Sequence, residues 1–102
     1  MTPRTYIDRI LTRIATQHGL TLEQVIRADK SKAIAKPRQH VWLDTCLELG
    51  WTTSQAGRRL KRDYSTIIYG RQKAASERYG LPPKASWGEI QSAAQNIQEQ
   101  AA

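Results

Sequence analysis

The chain has 102 residues and a mass of 11.6 kDa, which gives room for one modest core and excludes a nucleotide-driven motor or a two-domain dinucleotide enzyme. Apolar residues make up 39% and charged residues 25%, a globular rather than a disordered composition. Sixteen Lys and Arg against nine Asp and Glu leave a net charge of +7, which points to phosphate-bearing partners rather than a merely solubilising surface.

Helical signals run along the chain, and no strand-like alternation interrupts them. Thr2 is placed to cap a first helix with Pro3 at its first position. Ile7, Ile10, Leu11 and Ile14 follow at three- and four-residue spacing, and Gly19 stops the helix. Thr21 with Gln24 reads as a capping box for a short second helix carrying Leu22, Val25 and Ile26. Residues 28–36 are basic and read as a loop. Pro37 is expected to open a third helix whose buried side holds Val41, Trp42, Cys46, Leu47 and Leu49, closed by Gly50.

Trp51-Thr52-Thr53-Ser54 gives a cap-rich start to a short fourth helix ending near Leu60. Lys61-Arg62 make a tight turn, and Asp63 is expected to cap a fifth helix that runs to about Tyr79. Gly80 and Pro82-Pro83 stop it. Ser86 with Glu89 is a further capping box, opening a last helix through Ile90, Ala93, Ala94 and Ile97. The expected architecture is all-α, with five to six helices: a helix-turn-helix domain over residues 1–80, and a tail over 81–102 with a short amphipathic helix.

The charge is uneven. Residues 27–73 carry eleven Lys and Arg against four acids, whereas residues 76–102 carry two against three. Within the basic block, Arg58, Arg59, Lys61 and Arg62 cluster at the turn between two helices. Such a cluster suits phosphates on either side of a groove. The residues that follow, Asp63, Tyr64, Ser65 and Thr66, are short, polar or planar, as expected of a leading turn that meets base edges in a major groove. Arg62 suits guanine, Asp63 a cytosine amino group, and the Thr66 methyl a thymine methyl. Replacing Arg62 by Ala is expected to reduce discrimination between bases. Lys30 and Lys32 stand on the basic loop, which suits a minor groove. Lys36, Arg38 and Gln39 stand where a helix opening meets cations, which suits a phosphate. Gly57 falls mid-helix, where a close helix crossing would explain it.

No catalytic constellation emerges. His18 and His40 are not at metal-ligand spacing, and His18 is accounted for by a helix C-terminus. Cys46 stands alone and excludes an internal disulfide. Asp8 and Glu23 have no partner base in sequence reach. No enzyme activity, metal or other cofactor is expected. The chain contains no apolar run of membrane-spanning length, and Met1 to Ile10 lacks the apolar core of a secretory signal. A cytoplasmic, nucleoid-associated protein is expected.

Two motifs in order carry a resemblance. Lys36-Pro37-Arg38-Gln39, followed some twenty residues later by Ala56-Gly57-Arg58-Arg59-Leu60-Lys61-Arg62-Asp63-Tyr64-Ser65-Thr66-Ile67-Ile68, resembles the C-terminal DNA-binding domain of DnaA, the bacterial chromosomal replication initiator. The resemblance covers roughly residues 5–76. It implies a Trp-repressor-like helix-turn-helix that binds a short asymmetric duplex box. By position it puts Arg62, Asp63, Tyr64, Ser65 and Thr66 on bases, and Lys30 with Lys32 in the minor groove. It puts Arg38, Gln39 and Ser54 along the backbone, where the charge reading already places Lys36, Arg58 and Lys61.

The chain departs from that family in three places. Tyr64 stands where the family usually has His. Lys61 stands in a turn that commonly holds glycines and is one residue longer. The minor-groove position is Lys rather than Arg. No Walker-type phosphate loop is present, so the resemblance implies a stand-alone copy of the DNA-binding module without ATPase activity. Regulation of replication or transcription is expected, and the resemblance alone does not separate these from a mobile-element role. The alternative is a regulator that binds the initiator or another replication factor, or self-associates through residues 86–102, with DNA contact secondary.

Overall fold

In a computed structural model, the described residues are 3–27 and 32–101. They form six helices: α1 (Pro3–Gln17), α2 (Leu22–Ile26), α3 (Lys32–Leu49), α4 (Thr53–Leu60), α5 (Tyr64–Tyr79) and α6 (Trp87–Ala101). No strand occurs among the described residues. The Cα radius of gyration is 13.2 Å, close to the roughly 13 Å of a compact chain this long. The Thr2 cap expected for α1 lies outside the described residues.

Local chemistry accounts for most boundaries. Thr21 accepts from the Gln24 amide at 3.2 Å, and the Gln24 side chain accepts from the Thr21 amide at 2.9 Å. The same reciprocal box opens α4 between Thr52 and Gln55, and opens α6 between Ser86 and Glu89. Gly19, Gly50 and Gly80 all take positive φ at helix ends.

One boundary differs from the sequence reading. The stretch read as a loop is helical from Lys32, so Pro37 lies inside α3 instead of opening it. Pro37 is the sixth residue of the helix. The first turn's amides have no intrahelical acceptor in any case, so the ring removes a single bond, to the Ala33 carbonyl. Ala33 is exposed, where water can serve that carbonyl.

Helix α3 is the axle of the fold, packing against α1, α2, α4 and α5. Val41, Trp42, Leu43, Thr45 and Cys46 are all buried, so it is covered nearly all round. The buried Thr45 hydroxyl donates to the Val41 carbonyl at 2.7 Å. One core cluster joins α3 to α1, α2, α4 and α5 through Leu11, Ile14, Val25, Leu60 and Ile67. A second joins Leu43 to Ala74 and Ala75 of α5 and to Ala85 and Ile90 at α6. Each fully buried Leu or Ile contributes about 1.5–3 kcal/mol.

The segment after α5 is docked by that second cluster. Gln72 donates to the Ala85 carbonyl at 3.2 Å, Ser76 donates to the Leu81 carbonyl at 2.8 Å, and Arg71 lies 4.0 Å from the Trp87 ring centre.

Two glycines set close approaches. A Cβ at Gly70 would meet the Trp42 ring at 2.4 Å, so the α3–α5 crossing requires hydrogen there. A Cβ at Gly57 would meet the Arg62 carbonyl at 2.5 Å. The close approach at Gly57 is therefore to the following turn, and the helix crossing expected there lies at Gly70.

Candidate nucleic-acid interface

Helices α4 and α5 are joined by Lys61, Arg62 and Asp63. Lys61 takes the left-handed conformation at φ 57° and ψ 47°, the position that glycine usually fills at a helix end. The backbone then closes with the Arg62 amide donating to the Gly57 carbonyl at 2.8 Å. Such a reversal aims the start of α5 outward.

Asp63 occupies the N-cap position of α5, but its side chain makes no cap hydrogen bond. The expected cap is positional only, and the exposed carboxylate keeps its acceptors. Tyr64, Ser65 and Thr66 are exposed in the first turn, Tyr64 at 61%. The outward row continues one and two turns on with Tyr69, 60% exposed, and Lys73, whose ammonium lies 5.8 Å from the Tyr69 ring centre.

On α4, Ala56, Gly57 and Leu60 face the core. Ser54 and Arg58, four residues apart, therefore share the exposed side with Gln55 and Arg59. Among the described residues no carboxylate pairs with Arg58, Arg59, Lys61 or Lys73. The ion pairs all lie elsewhere. Ser54, Arg58, Lys61, Asp63, Tyr64, Ser65 and Thr66 are thus all exposed along α4, the turn and the first turn of α5. Arg59, Tyr69 and Lys73 are exposed as well, and sequence reasoning did not single out Tyr69 or Lys73. Their signal was the i, i+4 spacing from Ser65 to Tyr69 to Lys73.

Other expected contacts are placed differently. The Arg62 guanidinium points away from the leading turn of α5. It donates to the Ile26 carbonyl at 2.8 Å, the Lys61 carbonyl at 3.1 Å and the Arg27 carbonyl, and lies 5.8 Å from the Trp42 ring centre. Burial, together with the nearby Arg38 charge, lowers its pKa from the ordinary arginine value. Arg38 itself is 7% exposed, inside the fold instead of at an open helix mouth. Arg38 lies three and four residues before Val41 and Trp42, on the buried side of α3, and Arg62 is drawn in by the α2 carbonyls.

Gln39 is half-buried at the Gly70 crossing. Lys36 is exposed but pairs with Glu77 at 3.4 Å. Glu77 lies thirteen residues beyond Tyr64, about 20 Å along α5 from its leading edge. Lys30, and the side chain of Lys32, lie outside the described residues.

The far end of α5 holds a different cluster. Asp44 accepts from His18 Nε2 at 2.6 Å and from Arg78. Arg78 also donates to His40 Nδ1 at 2.8 Å, which leaves the His40 ring proton on Nε2, directed at Glu77 at 3.1 Å. His18 is thus held by a carboxylate as well as by its place after α1. Burial pulls the Arg78 pKa down, but the hydrogen bonds it donates to Asp44 and Tyr79 outweigh that and hold it above the usual value. Beside this cluster a groove of about 650 Å³ runs between α3 and α6, lined by Leu47, Tyr79, Ala94 and Ile97 among others.

Among the described residues no group of three His, Cys, Asp or Glu could hold a metal ion, and no helix is long and apolar enough to cross a membrane. No protein-family model, curated protein or solved structure matches the chain.

Proposed function

We propose that the chain binds double-stranded DNA through α4, the Lys61–Asp63 turn and the leading half of α5, acting as a helix-turn-helix. The observation that carries this reading is the pairing pattern. Arg58, Arg59, Lys61 and Lys73 have no carboxylate partner among the described residues, and they flank an exposed polar turn. Exposed cations without a carboxylate partner are free to neutralise phosphates and release the counterions condensed on DNA. Asp63, Tyr64, Ser65 and Thr66 supply acceptors, donors and one methyl to base edges, and Ser54, Arg58 and Lys61 hold the backbone. The resemblance to the initiator's C-terminal domain supports the same assignment. It further suggests a regulator of replication or transcription that recognises a single asymmetric box.

Fluorescence anisotropy at about 0.15 M salt tests it, titrating one labelled duplex with a consensus initiator box and one with the same bases scrambled. The reading predicts a preference of about 10³-fold or more for the box. It also predicts a log–log salt slope of about −4 to −5 from some five phosphate contacts. Equal binding of both duplexes would overturn the base readout. Failure to bind either would overturn the function.

A further inference from the structure

Arg62 stands where three elements meet. Its backbone is seated on Gly57, which has no Cβ to hold the Arg62 carbonyl away. Its side chain crosses to α2. There Ile26 is the last helical residue and Arg27 the C-cap, and the guanidinium donates to both of their carbonyls. A five-residue helix is too short to persist on its own, and its last carbonyls have no amide donor within the helix. A guanidinium fork there completes the hydrogen bonding and opposes the negative helix end.

The same guanidinium lies over Trp42, and Trp42 rests against Gly70 in the middle of α5. Contact therefore runs unbroken from α2 through Arg62 and Trp42 to α5. A guanine-reading arginine needs its fork free at the surface, whereas this fork is engaged with main-chain carbonyls.

We propose that Arg62 is a positioning residue for recognition. It clasps the end of α2 to the turn, and so fixes the leading turn of α5 relative to α2 and α3. The exposed residues of that turn then meet a duplex in a single pose. The proposal rests on the DNA-binding reading above.

The clasp and a base contact differ in what they do to specificity. Losing a base contact removes discrimination at one base pair and leaves the others intact. Losing a clasp lets α5 shift, so discrimination weakens at every position while the preferred sequence stays the same. Loss of stability alone would lower the melting temperature and leave both affinity and preference unchanged well below it.

The test uses the full chain with Arg62→Met, which keeps the stem over Trp42, and Arg62→Lys, which keeps the charge but not the fork. Each is taken through selection from a random duplex library. Anisotropy then follows on the selected duplex and its single-base-pair variants, and amide hydrogen exchange is measured in the free protein. Arg62→Met is expected to speed exchange at Val25 and Arg27, whose amides bond to Thr21 and Glu23, but not at Ile90 in α6. It should select the wild-type sequence, bind it about tenfold more weakly, a 1.4 kcal/mol change, and discriminate less at all positions. Arg62→Lys should show the same exchange and the same flattened profile.

Loss confined to one base pair would overturn the proposal in favour of direct readout. So would full rescue by Lys, which would make the charge the active feature. Unchanged exchange at Val25 and Arg27 would show that there is no clasp. If the wild type selects no sequence, the DNA reading falls and takes the recognition role with it. The exchange result would still report on the clasp by itself.

Discussion

The two ends of α5 treat positive charge in opposite ways. At the C-terminal end Arg78 and Lys36 are matched to Asp44 and Glu77, with His18 and His40 bridging the carboxylates. At the N-terminal end Arg58, Arg59 and Lys61 face solvent without a carboxylate partner among the described residues. One helix thus joins a neutralised, cross-braced end to an end whose field is uncompensated. The lesson is that net charge over a stretch of sequence does not locate an interface, whereas pairing does. Residues 27–73 hold eleven cations. Of these, Arg38 and Arg62 turn inward, Arg71 lies over Trp87, Arg27 and Lys36 are paired, and Arg58, Arg59 and Lys61 gather at a single turn, with Lys73 further along α5.

Four perturbations sharpen or break this contrast. The largest effect is expected from replacing Arg58, Arg59 and Lys61 together by Ala. DNA affinity should fall by about 3 kcal/mol or more and the salt slope should flatten by about 3, one per phosphate contact, with stability hardly changed. Titrations at several salt concentrations check this. Next is Gly70→Ala, at the crossing where the two ends meet. A methyl 2.4 Å from the Trp42 ring should cost about 3 kcal/mol, at the upper end of overpacking effects, read by urea unfolding.

Asp44→Ala should act in the reverse sense to the triple variant. It leaves Arg78 and His18 without their acceptor, so stability should drop by about 2 kcal/mol while duplex affinity stays the same. If Asp44→Ala reduced DNA binding as much as the triple variant, the two ends would not be separate. The smallest effect concerns acid. The Glu77 carboxyl is held below its usual pKa, first by the His40 hydrogen bond and then by Lys36. A depressed carboxylate stabilises the fold above its ordinary pKa and loses that contribution as pH falls through the folded value. The melting temperature should therefore fall as pH drops below about 4.5, and Glu77→Gln should make that slope shallower.

Much of the scaffold was legible because local chemistry fixed it. The Thr21 and Ser86 capping boxes and the Gly50 and Gly80 stops are decided within four residues of sequence, and tertiary packing did not override them. The start of α3 was not legible. Pro37 is favourable at the first helical position, and nothing local showed that Ala33 to Lys36 would be helical as well. Arg62 was misplaced for a related reason. Its neighbours marked the turn between α4 and α5 correctly, but the acceptors that draw the guanidinium inward are some thirty-five residues away in sequence. Lys61 shows the reverse. No glycine marks the end of α4, yet Lys61 takes the glycine conformation itself, at a strain of about 1–2 kcal/mol.

The most direct test of the central claim is a ¹⁵N chemical-shift titration of the full chain with a box-containing duplex. The account predicts that the largest changes fall at Arg58, Lys61, Tyr64, Ser65, Thr66, Tyr69 and Lys73, with His18, Asp44 and Ile97 undisturbed. Changes concentrated instead around Asp44, Tyr79 and the α3–α6 groove, or no changes at all, would contradict it.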